Sequence, residues 1–261
     1  MIPTPTLRGA TRLETVAAAA DLEGLRWGDL SDFFNPFLDH FAREALRCGG
    51  VVRVARRGAE AVGLYLYHPF EREGSVFARD RAIAEAFPPA PEEVAVYSEF
   101  ALGPTSERFE VYSGELRATD AGRHFAHAVR CAEPSDGPAI LALLREVHGP
   151  VDPRWLDGAR SPAETCFLVD GGTELAGVGW TSLARGAGRL HSLAVRPRYR
   201  RTGVGTDLLH ARKDWLRAHG ASRVIAEIAE RNAGSRRIAD AGGLSAVGRM
   251  YRATRDGTGR D

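Results

Sequence analysis

The chain has 261 residues, 44% of them hydrophobic, and a formal net charge of +1 at neutral pH. That length and composition allow one large or two small domains with buried cores. Such a charge balance gives no electrostatic footprint for nucleic acid, and no run nears the ~20 apolar residues of a membrane span.

Cys48, Cys131 and Cys166 are widely spaced and odd in number. They suggest reduced thiols in a cytoplasmic protein, neither a disulfide framework nor a metal site. The apolar run 16–20 is too short for a signal peptide and leads at once into Asp21 and Glu23.

Residues 11–25 read as a helix, because Ala17-Ala18-Ala19-Ala20 has high helical propensity, though its apolar face is weak. A second helix follows Asn35, a candidate cap, and Pro36. Its apolar side holds Phe37, Leu38, Phe41, Ala45 and Leu46, and Gly49-Gly50 ends it. Residues 51–56 and 61–67 alternate as a hairpin around Arg57-Gly58-Ala59-Glu60. From 75 to 103 the pattern weakens, with strands expected at 94–102 and 108–116 and a proline-broken loop at 87–91. A linker is expected around 118–122, which divides the chain into an N-terminal α+β domain, 1–122, and a second domain, 126–261.

In the second half, 128–132 reads as a strand. Pro134-Ser135-Asp136 opens a helix with Ile140, Leu141, Leu143, Leu144 and Val147 on one side, and Gly149-Pro150 breaks it. Trp155 and Leu156 begin a short second helix. Strands follow at 166–169, 174–183 and 189–195, the first two joined by Asp170-Gly171-Gly172-Thr173. A helix from Val204 stops at Gly220, and 222–229 is a strand. A helix over 232–241 is closed by Gly242-Gly243, and 244–253 is the last strand. One internal echo links the halves: Glu60-Ala61-Val62-Gly63 and Glu174-Leu175-Ala176-Gly177 both follow a strand and a polar turn.

The stretch from Leu190 to Asn232 carries the chemistry. A short apolar strand, Leu193-Ala194-Val195, leads into Arg200-Arg201-Thr202-Gly203-Val204-Gly205-Thr206 and then an amphipathic helix. The first amides of a helix lack internal partners and carry the positive end of its dipole. Glycines at 203 and 205 would let a ligand approach, and Arg200 and Arg201 add charge. Together these make a phosphate or pyrophosphate site. A P-loop is excluded, because the only lysine is Lys213, inside the helix. The glycine spacing is not that of a dinucleotide fingerprint either.

Arg200-x-x-Gly203-x-Gly205 resembles the pyrophosphate loop of the GCN5-related N-acetyltransferases (GNAT), and the β-α-α-β-β-β-α-β-α-β order of 128–253 is similar to that family's. The resemblance implies an α+β acyl-CoA N-acyltransferase fold: a mixed, mostly antiparallel sheet flanked by helices. The first half would be a degenerate copy without the loop. It also implies acetyl-CoA as co-substrate, with the pantetheine arm in a gap beside a bulged strand. The contacts would come from Leu193, Ala194, Val195, Arg200, Arg201, Thr202, Gly203, Val204, Gly205 and Thr206, with Asn232 and Ser235 further on. The amide near Leu193 would face the thioester carbonyl. Leu-His-Ser-Leu-Ala-Val resembles the strand of the arylalkylamine acetyltransferases, which implies His191 as catalytic base, where many members have a glutamate. The family's acidic tyrosine, about seven residues after the asparagine, is replaced by Ala239. Asn232 is also a natural helix cap, and the apolar strand residues also suit a core.

The expected activity is N-acetyl transfer to an amine of a small molecule or a protein by direct attack on the thioester, without metal, nucleic acid or membrane. A second reading is a catalytically weak CoA-binding sensor or interaction module, favoured by Ala239. A third is another nucleotide ligand, which preference for ATP or NAD would reveal.

Overall fold

The computed structural model describes residues 11–117, 125–154, 156 and 163–254. Two compact units emerge: 1–109 with 249–261, and 110–248. These bounds differ from a division at 122 and 126. The expected linker around 118–122, and Trp155 of the expected short helix, lie outside the described residues. No helix among the described residues is long and apolar enough to cross a membrane.

In the first unit the chain runs through β1 (Thr11–Val16), β2 (Arg26–Trp27), α1 (Leu38–Arg47), β3 (Val51–Arg57), β4 (Glu60–His68), β5 (Glu73–Ala78), α2 (Arg81–Ala86) and β6 (Ala95–Ser98) into β7 (Thr105–Glu115). The helix expected at 11–25 is instead β1 followed by a 3-10 turn, Ala19–Leu22. β1 pairs antiparallel with β3, from Thr11 opposite Arg57 to Val16 opposite Val52. The alanine run, 17–20, lies past the end of β1 at Val16; exposed and with no apolar face to bury, it forms only the turn. Asp21 Oδ2 then accepts the amides of Ala17 and Ala18 at 3.1 and 2.9 Å, which fixes the turn. Asn35 does not cap α1. Its Oδ1 accepts from the amides of Leu30 and Ser31 at 3.0 and 3.1 Å, and α1 starts after a 3-10 turn, Asn35–Phe37.

β3 pairs antiparallel with β4, β4 antiparallel with β5, and β5 parallel with β6 after the α2 crossover. The core of this unit gathers Tyr65, Val76, Ile83, Phe87 and Val96.

The second unit follows with β8 (Val129–Cys131), α3 (Gly137–His148), β9 (Glu164–Asp170), β10 (Leu175–Ala184), β11 (Ala187–Val195), α4 (Val204–Ala218), β12 (Arg223–Ala229), α5 (Ala233–Ala241) and β13 (Ser245–Thr254). β8 pairs antiparallel with β9, β9 with β10 and β10 with β11, whereas β11 is parallel to β12 across the α4 crossover. This repeats the pairing scheme of the first unit strand for strand. The end of β13 pairs with β6, with Tyr251 opposite Ser98 and Thr254 opposite Ala95. Residues 249–254 therefore fall in the first unit, a long-range pairing that local periodicity does not show. Within the second unit the end of β7 lies beside β12, held by Ser113 Oγ to Val224 O at 3.1 Å and Leu116 N to Ser222 O at 2.9 Å.

The sequence echo has a packing cause. A Cβ on Gly63 would lie 2.6 Å from Ile83 Cγ2 of α2, and one on Gly177 would lie 2.6 Å from Val204 Cγ1 of α4. In each unit the second hairpin strand carries a glycine near its start so that the crossover helix can sit on the sheet. The repeats diverge at the helix start. Asp80 caps α2, its Oδ1 accepting from Ile83 N at 2.9 Å, so a carboxylate stands where the second repeat has Gly203.

α3 packs Ile140, Leu143 and Leu144 against Leu168, Val178 and Trp180. Trp180 is 1% exposed, and full burial of a large apolar side chain contributes about 2–3 kcal/mol. The entry to α3 is held by Asp136, which accepts from Arg130 Nη1 and Nη2 at 2.8 and 2.9 Å and from Glu133 N at 2.7 Å. The Arg130 guanidinium, with the Glu133 amide, lowers the Asp136 carboxyl from 3.8 to about 2. A carboxyl depressed on folding stabilises above its unfolded value, and the contribution fades as pH falls through its folded value. Asp136→Asn is therefore expected to lower the thermal midpoint at pH 7 and to flatten its decline between pH 4 and pH 2. A variant whose acid limb matches the native one would remove Asp136 as its source.

Candidate active site

The second unit builds the site from the middle and the end of β11. At the far end, β11 leads into a 3-10 turn, Pro197–Tyr199, and then the glycine loop. The turn is tied down on all sides. Arg196, 7% exposed, donates from Nε to Leu175 O at 2.7 Å and pairs with Glu146 of α3. Tyr199 OH donates to Gly171 O at 2.9 Å, so this tyrosine is structural. Thr202 Oγ1 donates to Tyr199 O at 2.8 Å, and Arg200 Nε to Val195 O at 3.2 Å.

Arg201 has φ +66° and Gly203 φ +102°, so the chain enters α4 through two left-handed residues. The first helical hydrogen bond runs from Asp207 N to Gly203 O at 2.9 Å. The amides of Val204, Gly205 and Thr206 thus have no carbonyl within the helix to bind. Arg200, Arg201, Thr202 and Thr206 are exposed beside them.

The glycines also have conformational and packing reasons. Gly203 is the left-handed N-cap residue, and a Cβ on Gly205 would lie 2.8 Å from Ile238 Cδ1, so Gly205 lets α5 pack on α4. Asn232 does cap α5, its Oδ1 accepting from Ser235 N at 3.1 Å. Ala239 is buried in the apolar cluster with Leu209 and Leu244, leaving no hydroxyl at the position of the absent tyrosine.

At the middle of β11 the ladder breaks. β10 and β11 pair from Gly177 opposite Val195 and Val178 opposite Ala194, then jump to Trp180 opposite His191. Ser192 and Leu193 are left outside the register against Gly179, and Ser192 has φ +52°. This is a bulge. The parallel pairing with β12 runs from Ala187 to Leu190 and stops there, although both strands continue. From His191 to Val195 the ladder with β12 is not continued, so this stretch of β11, which leads into the glycine loop, is without β12 partners among the described residues.

His191 sits where that ladder stops. Its Nε2 lies 2.9 Å from Ser182 Oγ and 3.6 Å from Glu164 Oε1, and Ser182 Oγ donates to Glu164 Oε1 at 3.0 Å. With the one hydroxyl proton of Ser182 given to Glu164, the imidazole donates from Nε2, and its Nδ1 lone pair is left. That Nδ1 faces the hydroxyl of the bulged Ser192 at 3.2 Å. The side chains of Glu164 and His191 are 4% and 13% exposed, so the relay is largely shielded. Glu164 and Ser182 were not singled out from sequence. They are register partners, and alternation along β9 and β10 puts them on the Trp180 and His191 face. The turn at Asp170-Gly171 does not reveal the pair, because a register shift between Leu175 and Gly177 moves the partner of Ser182 from Ala163 to Glu164. On the same face Arg189 pairs with Glu227 of β12 at 2.9 Å.

A cavity of about 280 Å³ adjoins the relay, lined among others by Ala132, Pro134, Ile140, Leu156, Glu164 and Trp180. Cys166 also lines it, but burial pushes its thiol up, so the sulfur stays protonated and is a poor nucleophile. Sequence reasoning also missed the pair at the loop's flank. Asp207, 5% exposed, accepts from His127 N at 3.0 Å and faces His127 Nδ1 at 2.9 Å.

Comparison with known proteins agrees with this geometry. No curated protein matches by sequence. The chain is similar in structure to an acetyltransferase from the GNAT family from Colwellia psychrerythraea, with 12% identity over 94% of this chain and 100% of that one, at TM-score 0.62. A tandem GNAT protein from the clavulanic acid biosynthesis pathway matches with 15% identity over 96% and 100%, at 0.60. A GCN5-related N-acetyltransferase from Sphaerobacter thermophilus matches with 17% identity over 95% and 97%, at 0.58. At these identities the likeness is one of fold, and it spans both units. The family model for the acetyltransferase (GNAT) family matches residues 139–242, which cover the bulged strand, the glycine loop and both flanking helices. Residues 139–242 therefore form a domain of the GNAT acetyltransferase family.

Proposed function

We propose that the second unit transfers an acetyl group from acetyl-CoA to a primary amine by direct attack of the amine on the thioester. The observation that carries this reading is the position of the His191 relay at the point where the β11–β12 ladder stops. The β11 edge leads from there to a helix N-terminus with three amides that lack a helical acceptor.

The residues present fit the co-substrate. The amides of Val204, Gly205 and Thr206, with Arg200, Arg201 and Thr202, would hold the pyrophosphate. The open edge of Leu193, Ala194 and Val195 would pair with the amide-bearing arm, and Asn232 and Ser235 would flank it. The acetyl thioester supplies an electrophilic carbonyl. Around it, the Leu193 amide would stabilise the developing oxyanion. His191 Nδ1 would take the proton of the attacking amine, directly or through Ser192 Oγ. Glu164, through Ser182, would then stabilise the imidazolium. Because Ala239 offers no acid, the thiolate would leave unprotonated, which a thiol pKa of ~8.5 permits at neutral pH.

The cavity beside Glu164 supports a small amine as acceptor. Its apolar wall would take the body of the molecule and the carboxylate would attract the ammonium. Ala239 favours the rival reading of a CoA-binding sensor, while the buried relay favours turnover. The deciding measurement is the thermal midpoint with and without acetyl-CoA, beside Gly203→Glu. A ligand at ~100 times its Kd stabilises by ~2.7 kcal/mol. Stabilisation of the native protein that disappears in the variant is the expected result. No shift at millimolar acetyl-CoA would overturn the reading, and a shift without turnover on a panel of small amines would favour the sensor.

A further inference from the structure

One buried charge in the second unit has no part in the scheme above. Arg212 of α4 is 2% exposed. Its described hydrogen bonds all run to main-chain carbonyls: Nε to Leu208 O at 2.9 Å, Nη1 to Trp180 O at 3.1 Å and Nη1 to His191 O at 3.4 Å. A guanidinium so desolvated is costly, and carbonyl dipoles offset only part of the cost. Burial lowers it to about 10, so it remains charged at neutral pH.

Its surroundings are built to receive it. A Cβ on Gly179 would lie 3.1 to 3.2 Å from the Cζ, Nε and Nη1 of Arg212, so the residue opposite the bulge is one that leaves room for a guanidinium. The two acceptors Trp180 and His191 are the pair at which the β10–β11 ladder resumes after the bulge, and Ser192, the next residue, has φ +52°. Two separate features, the register jump and the missing Cβ, meet at one side chain, and the left-handed serine is the next residue along the strand.

We propose that Arg212 is a positioning residue for acyl transfer: it pins the carbonyls of Trp180 and His191, holds the Ser192–Leu193 bulge open, and sets a positive charge behind the strand that receives the thioester oxygen. This inference rests on the acetyl-CoA reading and deepens it. A carbonyl held by oriented amides in front of a buried cation is polarised before attack. Removing the cation therefore affects the reacting bond more than the grip on the nucleotide end, which lies on the glycine loop.

The experiment reads that bond without an acceptor. Acetyl-CoA labelled with ¹³C at the thioester carbonyl is bound to the native protein, to Arg212→Met and to Arg212→Lys, and isotope-edited infrared spectra are recorded beside the dissociation constants. The expected result is a carbonyl stretch shifted down on binding to the native protein. That shift should be largely lost in Arg212→Met and partly restored in Arg212→Lys, with Kd changed less than ~3-fold and kcat in Arg212→Met lowered ~10- to 100-fold. Gly179→Ala is the second variant, because it keeps the charge but displaces it, and should reduce the shift if Arg212→Met does not fold. The same band position in native and variant proteins, with acetyl-CoA bound to both, overturns the role of Arg212 alone. Absence of binding to the native protein overturns the acetyl-CoA reading and this inference together.

Discussion

Replacing His191 by alanine is expected to lower kcat by ~10²–10⁴-fold while acetyl-CoA still stabilises the protein. The expectation follows from where the imidazole stands. Its Nε2 is engaged with Ser182 and Glu164, which leaves Nδ1 as the basic atom, directed at the Ser192 hydroxyl on the bulge. In the proposed scheme the glycine loop would hold the nucleotide end through main-chain amides that the substitution does not touch. Glu164→Gln should give a smaller loss of kcat, because it removes the charge that stabilises the imidazolium but keeps a hydrogen-bond acceptor for Ser182. Steady-state kinetics with calorimetric binding decides the matter. If His191→Ala keeps its kcat and loses affinity or stability instead, His191 is a packed sheet residue and the base lies elsewhere.

A valine at Gly177 is expected to cost ~3 kcal/mol of stability, and a valine at Gly63 a similar amount. At Gly177 the added Cβ meets Val204 Cγ1 at 2.6 Å, Leu208 Cδ1 at 3.0 Å and the Ala194 carbonyl at 3.3 Å, so both α4 and the neighbouring strand must move. At Gly63 it meets Ile83 Cγ2 at 2.6 Å and Phe87 Cε2 at 2.9 Å. The two variants should differ in binding. Gly177→Val displaces the start of α4 and so the amides of Val204, Gly205 and Thr206, and it should weaken acetyl-CoA binding as well as stability. Gly63→Val disturbs a crossover helix whose start is already filled by the Asp80 carboxylate, and it should leave acetyl-CoA affinity unchanged. Urea midpoints and ligand titrations would show it. A Gly63→Val protein as stable as the native one would mean that the matching glycines do not share a packing cause.

Most strands and helices of the second half were legible from periodicity, because each buries one face and its apolar residues recur accordingly. Legibility failed where a tertiary partner outweighed local preference. The alanine run near the N-terminus has helical propensity but nothing to bury it against and forms only a turn, while the residues before it, 11–16, pair with β3. Asn35 looked like a cap by type, yet its carbonyl serves the loop before it.

By itself, the sequence determined the strand–loop–helix from Leu193 to Ala218, the His191 position and the hairpins, since these depend on neighbours a few residues apart. Tertiary structure alone decided three things. It placed the end of β13 beside β6, a pairing of residues more than 150 apart that no local pattern encodes. It brought Glu164 and Ser182 to His191, because strand register turns distant positions into neighbours on one face. And it buried Arg212 behind the bulge, where an arginine that no sequence motif marks becomes a fixed charge because Gly179 leaves space for it.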